Sequence, residues 1–234
     1  MKRLVLAAGA AVFGYSAVAL AADDPFLWLE DRYGEKAIAW VTEQNAKTVD
    51  AFTADPRFET YFKTALDIFT AEDNIAYGYA EGDAVYNFWQ DAKSPLGIWR
   101  RTSVASYKTD APEWETLIDF DQLGATEGVN WVFFGADCND AETRRCLISL
   151  SPDGGDAATV REWDMATKSF VADGFTSPVS KSSMSWVGDD AVVISSAYDE
   201  AEQTLSGYSR VVRIVKRGGS YAASPVLFEG QKTD

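Results

Sequence analysis

Short apolar runs separated by turn residues occupy most of this chain, from about Ile75 to its end. The runs are rich in Val, Ile, Tyr, Phe and Trp and recur roughly every 8–14 positions, a spacing typical of all-β domains. Turn-forming stretches such as Glu81-Gly82-Asp83 lie between them. The pattern predicts strands at 75–80, 84–90, 97–107, 115–120, 130–136, 145–151, 159–165, 168–173, 183–188, 191–197, 209–217 and 225–230.

These strands fall into three sets of four. The sets begin near residues 75, 130 and 183, which gives a period of roughly 53–55 residues, in the range of β-propeller blades. We therefore predict a mainly β fold, a partial β-propeller over residues 73–234. Its blades are expected at about 75–120, 130–173 and 183–230.

Several of the predicted strands are apolar on both faces. In the run 84–90, Tyr86 and Phe88 point one way while Val85 and Trp89 point the other. A strand of a β-sandwich usually has one solvated face, whereas a propeller blade is covered by a neighbour on each side. The pattern favours blades, and an unrelated β-sandwich binder remains the alternative.

An amino-terminal segment, residues 22–72, precedes the strands and has the pattern of two α-helices. The first helix is predicted from about Glu35 to Phe52. The second is predicted to follow Asp55, a good capping residue, and Pro56, which suits the first helical position. The apolar residues of this second helix follow the three-four spacing of an amphipathic helix: Phe58, Tyr61, Phe62, Ala65, Leu66 and Phe69.

Residues 1–21 have the features of a secretory signal peptide. A basic start is followed by an apolar run that ends in Ala19-Leu20-Ala21, a small-x-small pattern, and cleavage is expected after Ala21 or one residue later. An uncleaved membrane anchor is the alternative, although the run is rich in Ala and Gly. The expected location is therefore periplasmic or secreted.

Charge and composition exclude several classes of function. The formal net charge is −15, so neither nucleic acid nor an anionic membrane surface is an expected partner. The sequence contains 0 histidines, which excludes a Ser-His-Asp triad, a Cys-His dyad and a His-ligated metal site within it. The arginine pairs at 100–101 and 144–145 are expected to pair with nearby acidic residues rather than with a ligand.

The two cysteines, Cys138 and Cys146, lie close together in sequence. Two cysteines alone do not make a structural zinc site, and a close pair in an exported protein indicates a disulfide. The predicted strands place Cys138 just past the end of one strand and Cys146 at the start of the next. Two unpaired thiols remain the alternative.

Two carboxylate pairs have a spacing that could suit a site. Glu162 and Asp164 lie on one face of a predicted strand, as a general acid and base require, but a solvated blade edge is the favoured interpretation. Asp119 and Asp121 lack the glycine and the spacing of a calcium loop. No metal and no cofactor is therefore predicted.

The ordered series of motifs resembles the prolyl oligopeptidase family. The resemblance begins with DPFLWLED (24–31) followed by WVTEQNAKT (40–48), continues with YNFWQDAKSPLGIWRRT (86–102) and LIDFDQL (117–123), and extends to SGYSRVVRIVKRGG (206–219) and VLFEG (226–230). No single motif is diagnostic, but the order is specific and spans residue 24 to about 230.

The resemblance implies a seven-bladed propeller joined to an α/β-hydrolase domain that holds a Ser-Asp-His triad and cleaves short peptides. It also implies that the leading helices belong with that hydrolase domain. The printed sequence has no Gly-x-Ser-x-Gly elbow, so no catalytic residue is assigned. We expect three blades of the propeller, inactive alone, whose partners are the remaining blades, the hydrolase domain and, in the full-length enzyme, short peptides. A stand-alone periplasmic binding module is the alternative function.

Overall fold

The computed structural model describes residues 24–31, 33–71, 73–139 and 144–234. The predicted signal peptide, with its cleavage site at Ala21, lies outside the described residues. The chain divides into two compact units, of which the first ends at Ala65 and the second runs from Leu66 to Asp234. Each unit is described by itself below.

The amino-terminal segment is helical, as predicted. A short 3-10 helix at Leu27–Leu29 precedes α1 (Glu35–Thr53), and α2 spans Phe58–Phe69. Helix α2 begins later than predicted, because the Asp55 carboxylate accepts a hydrogen bond from the Arg57 amide at 2.8 Å and closes a turn before the helix. None of the helices in the described ranges is long and apolar enough to span a bilayer.

The remainder contains three four-stranded antiparallel sheets, each with its strands in sequential order. Blade 1 comprises β1 (Tyr79–Glu81), β2 (Ala84–Trp89), β3 (Ile98–Ser103) and β4 (Glu115–Asp119); blade 2 comprises β5 (Trp131–Cys138), β6 (Arg145–Pro152), β7 (Thr159–Asp164) and β8 (Ser169–Phe170); blade 3 comprises β9 (Ser183–Trp186), β10 (Ala191–Ser195), β11 (Val211–Lys216) and β12 (Val226–Glu229). The predicted fold class, a mainly β partial propeller preceded by two helices, is confirmed.

Several strand ends differ from the prediction for local reasons. The predicted strand 97–107 ends at Ser103, where the Ser103 hydroxyl accepts a hydrogen bond from the Ser106 amide at 3.0 Å. That bond caps a short helix, α3 (Val104–Tyr107). The run 75–80 contributes only its last two residues to a strand, and the run 168–173 only Ser169–Phe170.

A second helix within the β region, α4 (Phe120–Glu127), was also not predicted. The Asp119 carboxylate accepts a hydrogen bond from the Gln122 amide at 2.9 Å, and the helix ends at Gly128, whose φ of 68° is left-handed. Phe120, the first residue of α4, is fully buried. The capping signal was present in the sequence, but the apolar run 115–120 concealed it.

Two apolar cores fill the interfaces between the blades. The blade 1–blade 2 interface is rich in aromatic side chains, including Tyr86, Trp99 and Phe120. The blade 2–blade 3 interface is mostly aliphatic: Leu147, Val160, Phe175, Met184, Val192, Ile194 and Val215. Strand β6 contributes to both cores, since Ile148 belongs to the first and Leu147 to the second. A sheet covered on both faces is what distinguishes a blade from a layer of a sandwich.

Candidate functional site: the interfaces between the blades

Glu162 is the central polar group of the blade 2–blade 3 interface. It lies on β7, is only 1% exposed, and has the same orientation as Val160, toward blade 3. The prediction of a solvated edge is therefore wrong for Glu162. The alternation of side chains along a strand predicts which of them share a face, but it does not show whether a second sheet covers that face.

The Glu162 carboxylate is held by groups from both blades. Arg217, which directly follows β11 in blade 3, donates from both terminal nitrogens at 3.0 Å. Arg145, at the start of β6, donates at 3.1 Å, and the Phe175 amide donates at 2.8 Å. Arg217 also contacts Asp190 at 3.0 Å. The buried charge is thus paired and hydrogen-bonded, as burial of a carboxylate requires.

This arrangement keeps Glu162 ionised. Burial acts to raise its pKa, but the hydrogen bonds from Arg217, the Phe175 amide and Arg145 outweigh burial and hold the pKa below its ordinary value of 4.5. Glu162 in turn raises the pKa of Arg217. A general acid or base needs a pKa near the working pH, so the geometry assigns Glu162 to linking the blades and not to proton transfer.

The arginine pair at 144–145 forms ion pairs with blade 1 and within blade 2. Arg144 forms an ion pair with Glu81 on the first strand of blade 1, while Arg145 contacts Glu162 and, at 3.6 Å, Asp164. The prediction that this pair binds acidic neighbours is confirmed. Because Glu162 also binds Arg217, the ion pairs run from blade 1 through blade 2 to blade 3.

The second predicted arginine pair divides between two environments. Arg101 donates to Glu115 at 2.7 Å, as predicted. Arg100 forms no ion pair with the described residues; its guanidinium packs against the rings of Trp89 and Trp114, with its central carbon 4.4 and 4.3 Å from the two ring centroids. The prediction is wrong for Arg100, because successive strand residues point to opposite faces.

Cys138 and Cys146 face each other across β5 and β6. They form a directly opposed pair in the strand register with a Cα–Cα distance of 3.9 Å, and the structure joins them in a disulfide. Cys146 is fully buried and directly follows the arginine pair. Strand β5 extends to Cys138, two residues beyond the predicted end. Oxidation of this pair in the exported protein stays a prediction.

The first strands of blades 2 and 3 are neighbours. Strands β5 and β9 lie side by side, and the Trp186 indole nitrogen of β9 donates to the Asp137 carbonyl of β5 at 2.9 Å. This is the expected position of strands nearest the central channel of a propeller. A cleft of about 300 Å³ lies between blades 2 and 3, with Gly135, Ser149 and Ser182 in its wall.

The described residues contain no cluster of His, Cys, Asp or Glu that could hold a metal ion. Asp119 and Asp121, the pair considered for calcium, bind backbone amides instead. Asp119 caps α4, and Asp121 accepts from the Leu96 amide at 3.1 Å. Asp119 thus fixes the start of α4 directly after β4, and Asp121 ties that start to the loop before β3.

Arg217 is the residue of the interface that the sequence analysis missed. It lies 55 residues after Glu162, which is one blade repeat. Two residues of opposite charge that are one repeat apart in the sequence can meet across the interface between neighbouring blades. The repeat length therefore contains a signal for this ion pair, although the sequence analysis uses the repeat only to define the blades.

Comparison with known proteins agrees with this architecture. A family model for the prolyl oligopeptidase N-terminal β-propeller domain matches residues 13–234. The chain belongs to the prolyl oligopeptidase family. Its match is to the propeller domain, and the blades described above are blades of that domain.

Two curated relatives and one solved structure show how much of a family member the chain represents. It is 42% identical to an uncharacterized peptidase of Sinorhizobium fredii over 91% of the chain and 30% of the relative. It is 35% identical to an uncharacterized peptidase of Rickettsia prowazekii over 88% of the chain and 30% of that relative. The structure of a post-proline cleaving enzyme from Rickettsia typhi matches with a TM-score of 0.80 and 35% identity, over 88% of this chain and 31% of that one. The chain thus spans about a third of the length of these proteins.

Proposed function

We propose that this chain is the amino-terminal propeller part of an exported serine peptidase that cleaves short peptides after proline. The observation that carries the proposal is the match to the Rickettsia typhi post-proline cleaving enzyme at 35% identity over 88% of the chain. In this proposal the blades limit access to a catalytic domain supplied by the rest of the enzyme. Peptides reach that domain, and folded proteins do not.

The proposal assigns no catalysis to the printed residues. A serine nucleophile needs an adjacent base, and the sequence has 0 histidines. Glu162, the buried carboxylate between blades 2 and 3, is held in ion pairs that keep its pKa below the ordinary value of 4.5. The role proposed for residues 73–234 is therefore to position the blades and restrict entry.

The proposal is tested with the product of the whole gene and with residues 24–234 alone. Chromogenic peptides with proline before the scissile bond should be hydrolysed by the whole protein, and a serine-directed phosphonate should abolish the hydrolysis. Peptides with arginine at that position are the specificity control, and the same proline sequence inside a folded protein tests restricted entry. Residues 24–234 should show no turnover. Failure of the whole protein to cleave proline peptides, with peptide binding retained, would favour the stand-alone binding module.

Export forms the second part of the proposal. It is supported by the basic start, the apolar run and Ala19-Leu20-Ala21. Amino-terminal sequencing of periplasmic protein should begin at Ala22 or Asp23. A mature protein that retains Met1 would contradict cleavage and favour the membrane anchor.

A further inference from the structure

Arg100 differs from every other arginine in the described part of the chain. Each of the others forms an ion pair with a carboxylate: Arg57, Arg101, Arg144, Arg145, Arg161, Arg210, Arg213 and Arg217. Arg100 forms none with the described residues, although the chain carries a formal charge of −15. Among the described residues, Arg100 is the arginine whose charge is not engaged in an ion pair, which leaves it able to bind an anion.

The guanidinium of Arg100 is held in a fixed plane. The indole rings of Trp89 and Trp114 both pack against it, with ring centroids 4.4 and 4.3 Å from its central carbon. Its Nε donates to the Asn87 Oδ1 at 2.7 Å, and the Asn87 amide nitrogen donates to the Tyr77 carbonyl at 2.7 Å. Asn87 is only 4% exposed, so the orientation of the arginine is fixed from the interior of blade 1.

The fixed plane leaves the outer edge of the guanidinium free of described partners. Guanidinium has five N–H donors in a rigid fork, and Nε uses one of them. No residue of the described ranges accepts a hydrogen bond from Nη1 or Nη2. The Asp91 carboxylate attracts the charge of Arg100, but it forms no ion pair with the guanidinium and accepts its hydrogen bonds from the Trp89 indole and from the amides of Lys93 and Ser94. Burial lowers the pKa of Arg100, and a bound anion would offset that loss of hydration.

A cleft of about 450 Å³ opens beside this arginine. Arg100, Trp89 and Trp114 form part of its wall, and the rest is mostly uncharged: Asn74, Ile75, Ala76, Tyr107, Asp110 and Pro112. The volume is within the range of small-molecule sites. Ile75 and Pro112 provide apolar surface, and Asn74 provides an amide.

We propose that this cleft binds the carboxylate of a short peptide, with Nη1 and Nη2 of Arg100 donating to its two oxygens. A planar carboxylate fits the two parallel donors of a guanidinium edge. A phosphate carries more negative charge, which both Asp110 in the wall and the net charge of the protein disfavour. The apolar wall accommodates the side chain that precedes the carboxylate. The inference concerns binding and does not depend on the proposed peptidase activity.

The test is binding of acetyl-Ala-Pro with a free carboxylate, compared with the same peptide as its amide. The protein is the product of the whole gene, and binding is followed by calorimetry and by the NMR signals of the Trp89 and Trp114 indole N–H groups. Loss of a charged hydrogen bond weakens binding by about tenfold or more, so the amide should bind at least that much more weakly. Acetate alone should bind more weakly than the peptide, because it does not contact the apolar wall.

Variants identify the residue responsible. Arg100→Gln should abolish the difference between acid and amide, and Arg100→Lys should restore only part of it, since lysine lacks the planar fork. The matched control is Arg101→Gln, which removes the neighbouring arginine that already binds Glu115. Glu72 lies two positions before Asn74 in the sequence and outside the described residues. The variant Glu72→Gln therefore tests whether this carboxylate competes with the peptide for Arg100.

Three results would overturn the proposal. The first is equal affinity of the unmodified protein for acid and amide, a measurement that needs no variant. The second is unchanged acid binding by a folded Arg100→Gln protein. The third is binding of the acid only in the Glu72→Gln variant, which would mean that Arg100 normally pairs within the chain.

Discussion

Arg217 of blade 3 donates two 3.0 Å hydrogen bonds to the carboxylate of Glu162 in blade 2. Glu162 is 1% exposed, so this contact joins two sheets through a buried charge. The two residues are 55 positions apart, one blade repeat. The apolar core between these blades is mostly aliphatic, and the ion pair adds directional contacts that fix how the two blades meet.

Replacement of Arg217 by Met should destabilise the chain. Removing one partner of a buried ion pair costs about 3–5 kcal/mol, and we expect the lower end, since Arg145 and the Phe175 amide still bind Glu162. Urea unfolding measures the change. Lys47→Met, which removes an exposed pair on α1, is the control and should leave the midpoint unchanged. The double variant Glu162→Met/Arg217→Met should regain only part of the loss. Arg145 keeps its contact with Asp164, but the Phe175 amide loses its acceptor.

The contribution of Glu162 should depend on pH in a defined direction. Its pKa in the fold lies below the ordinary value of 4.5. A carboxyl group whose folded pKa is depressed stabilises the fold above its unfolded pKa, and this contribution is lost as the pH falls through the folded pKa. The difference in unfolding free energy between the parent and Glu162→Gln should be constant near neutral pH and shrink below pH 4.5. A difference that grows in acid would mean that Glu162 is protonated in the fold.

The sequence predicted the blades well, because strands that are apolar on both faces must be covered on both sides, and few folds other than stacked blades do this for a repeated set of four strands. All twelve predicted runs contain a strand of the structure. Helix α4 was missed because Phe120 continues the apolar run of β4, although Asp119 caps the helix. The pairing of Glu162 with Arg217 was missed because the strand pattern around each residue does not show how two sheets face each other, and only their separation of one repeat links them.

The Cys138–Cys146 disulfide should form in the exported protein and stabilise it. The structure pairs the two cysteines directly across β5 and β6. In the chain-entropy model a loop this short contributes roughly 2–3 kcal/mol. Mass spectrometry without reduction should show a loss of two hydrogens, and reduction of the unmodified protein should lower its unfolding free energy by that amount.

The control for the disulfide is the double variant Cys138→Ala/Cys146→Ala, whose stability should not respond to reductant. The variant lacks both sulfur atoms with or without reductant. A change in unfolding free energy on reduction that is seen only in the unmodified protein therefore measures the effect of the disulfide. Two alkylatable thiols in exported, oxidised protein would contradict the prediction.

The last prediction concerns residues 24–234 expressed by themselves. Large apolar side chains are exposed on α2, where Tyr61, Phe62 and Phe69 are 63%, 58% and 79% exposed. On β12, the last strand of blade 3, Leu227 and Phe228 are 55% and 62% exposed. Burial of one such side chain contributes about 1.5–3 kcal/mol. Several exposed together therefore provide a strong driving force for association.

We expect this piece to self-associate and to bind a dye that reports exposed apolar surface. Sedimentation velocity at several concentrations measures the association. Phe62→Ser/Phe69→Ser should reduce both association and dye binding. The thermal midpoint should change little, because both rings are mostly exposed to solvent and bury little apolar area. Thr48→Ser on the exposed part of α1 is the control. A monodisperse monomer with a cooperative melt and no dye binding would show that residues 24–234 are stable without further chain covering these faces, and the stand-alone binding module would then be the better account of the protein.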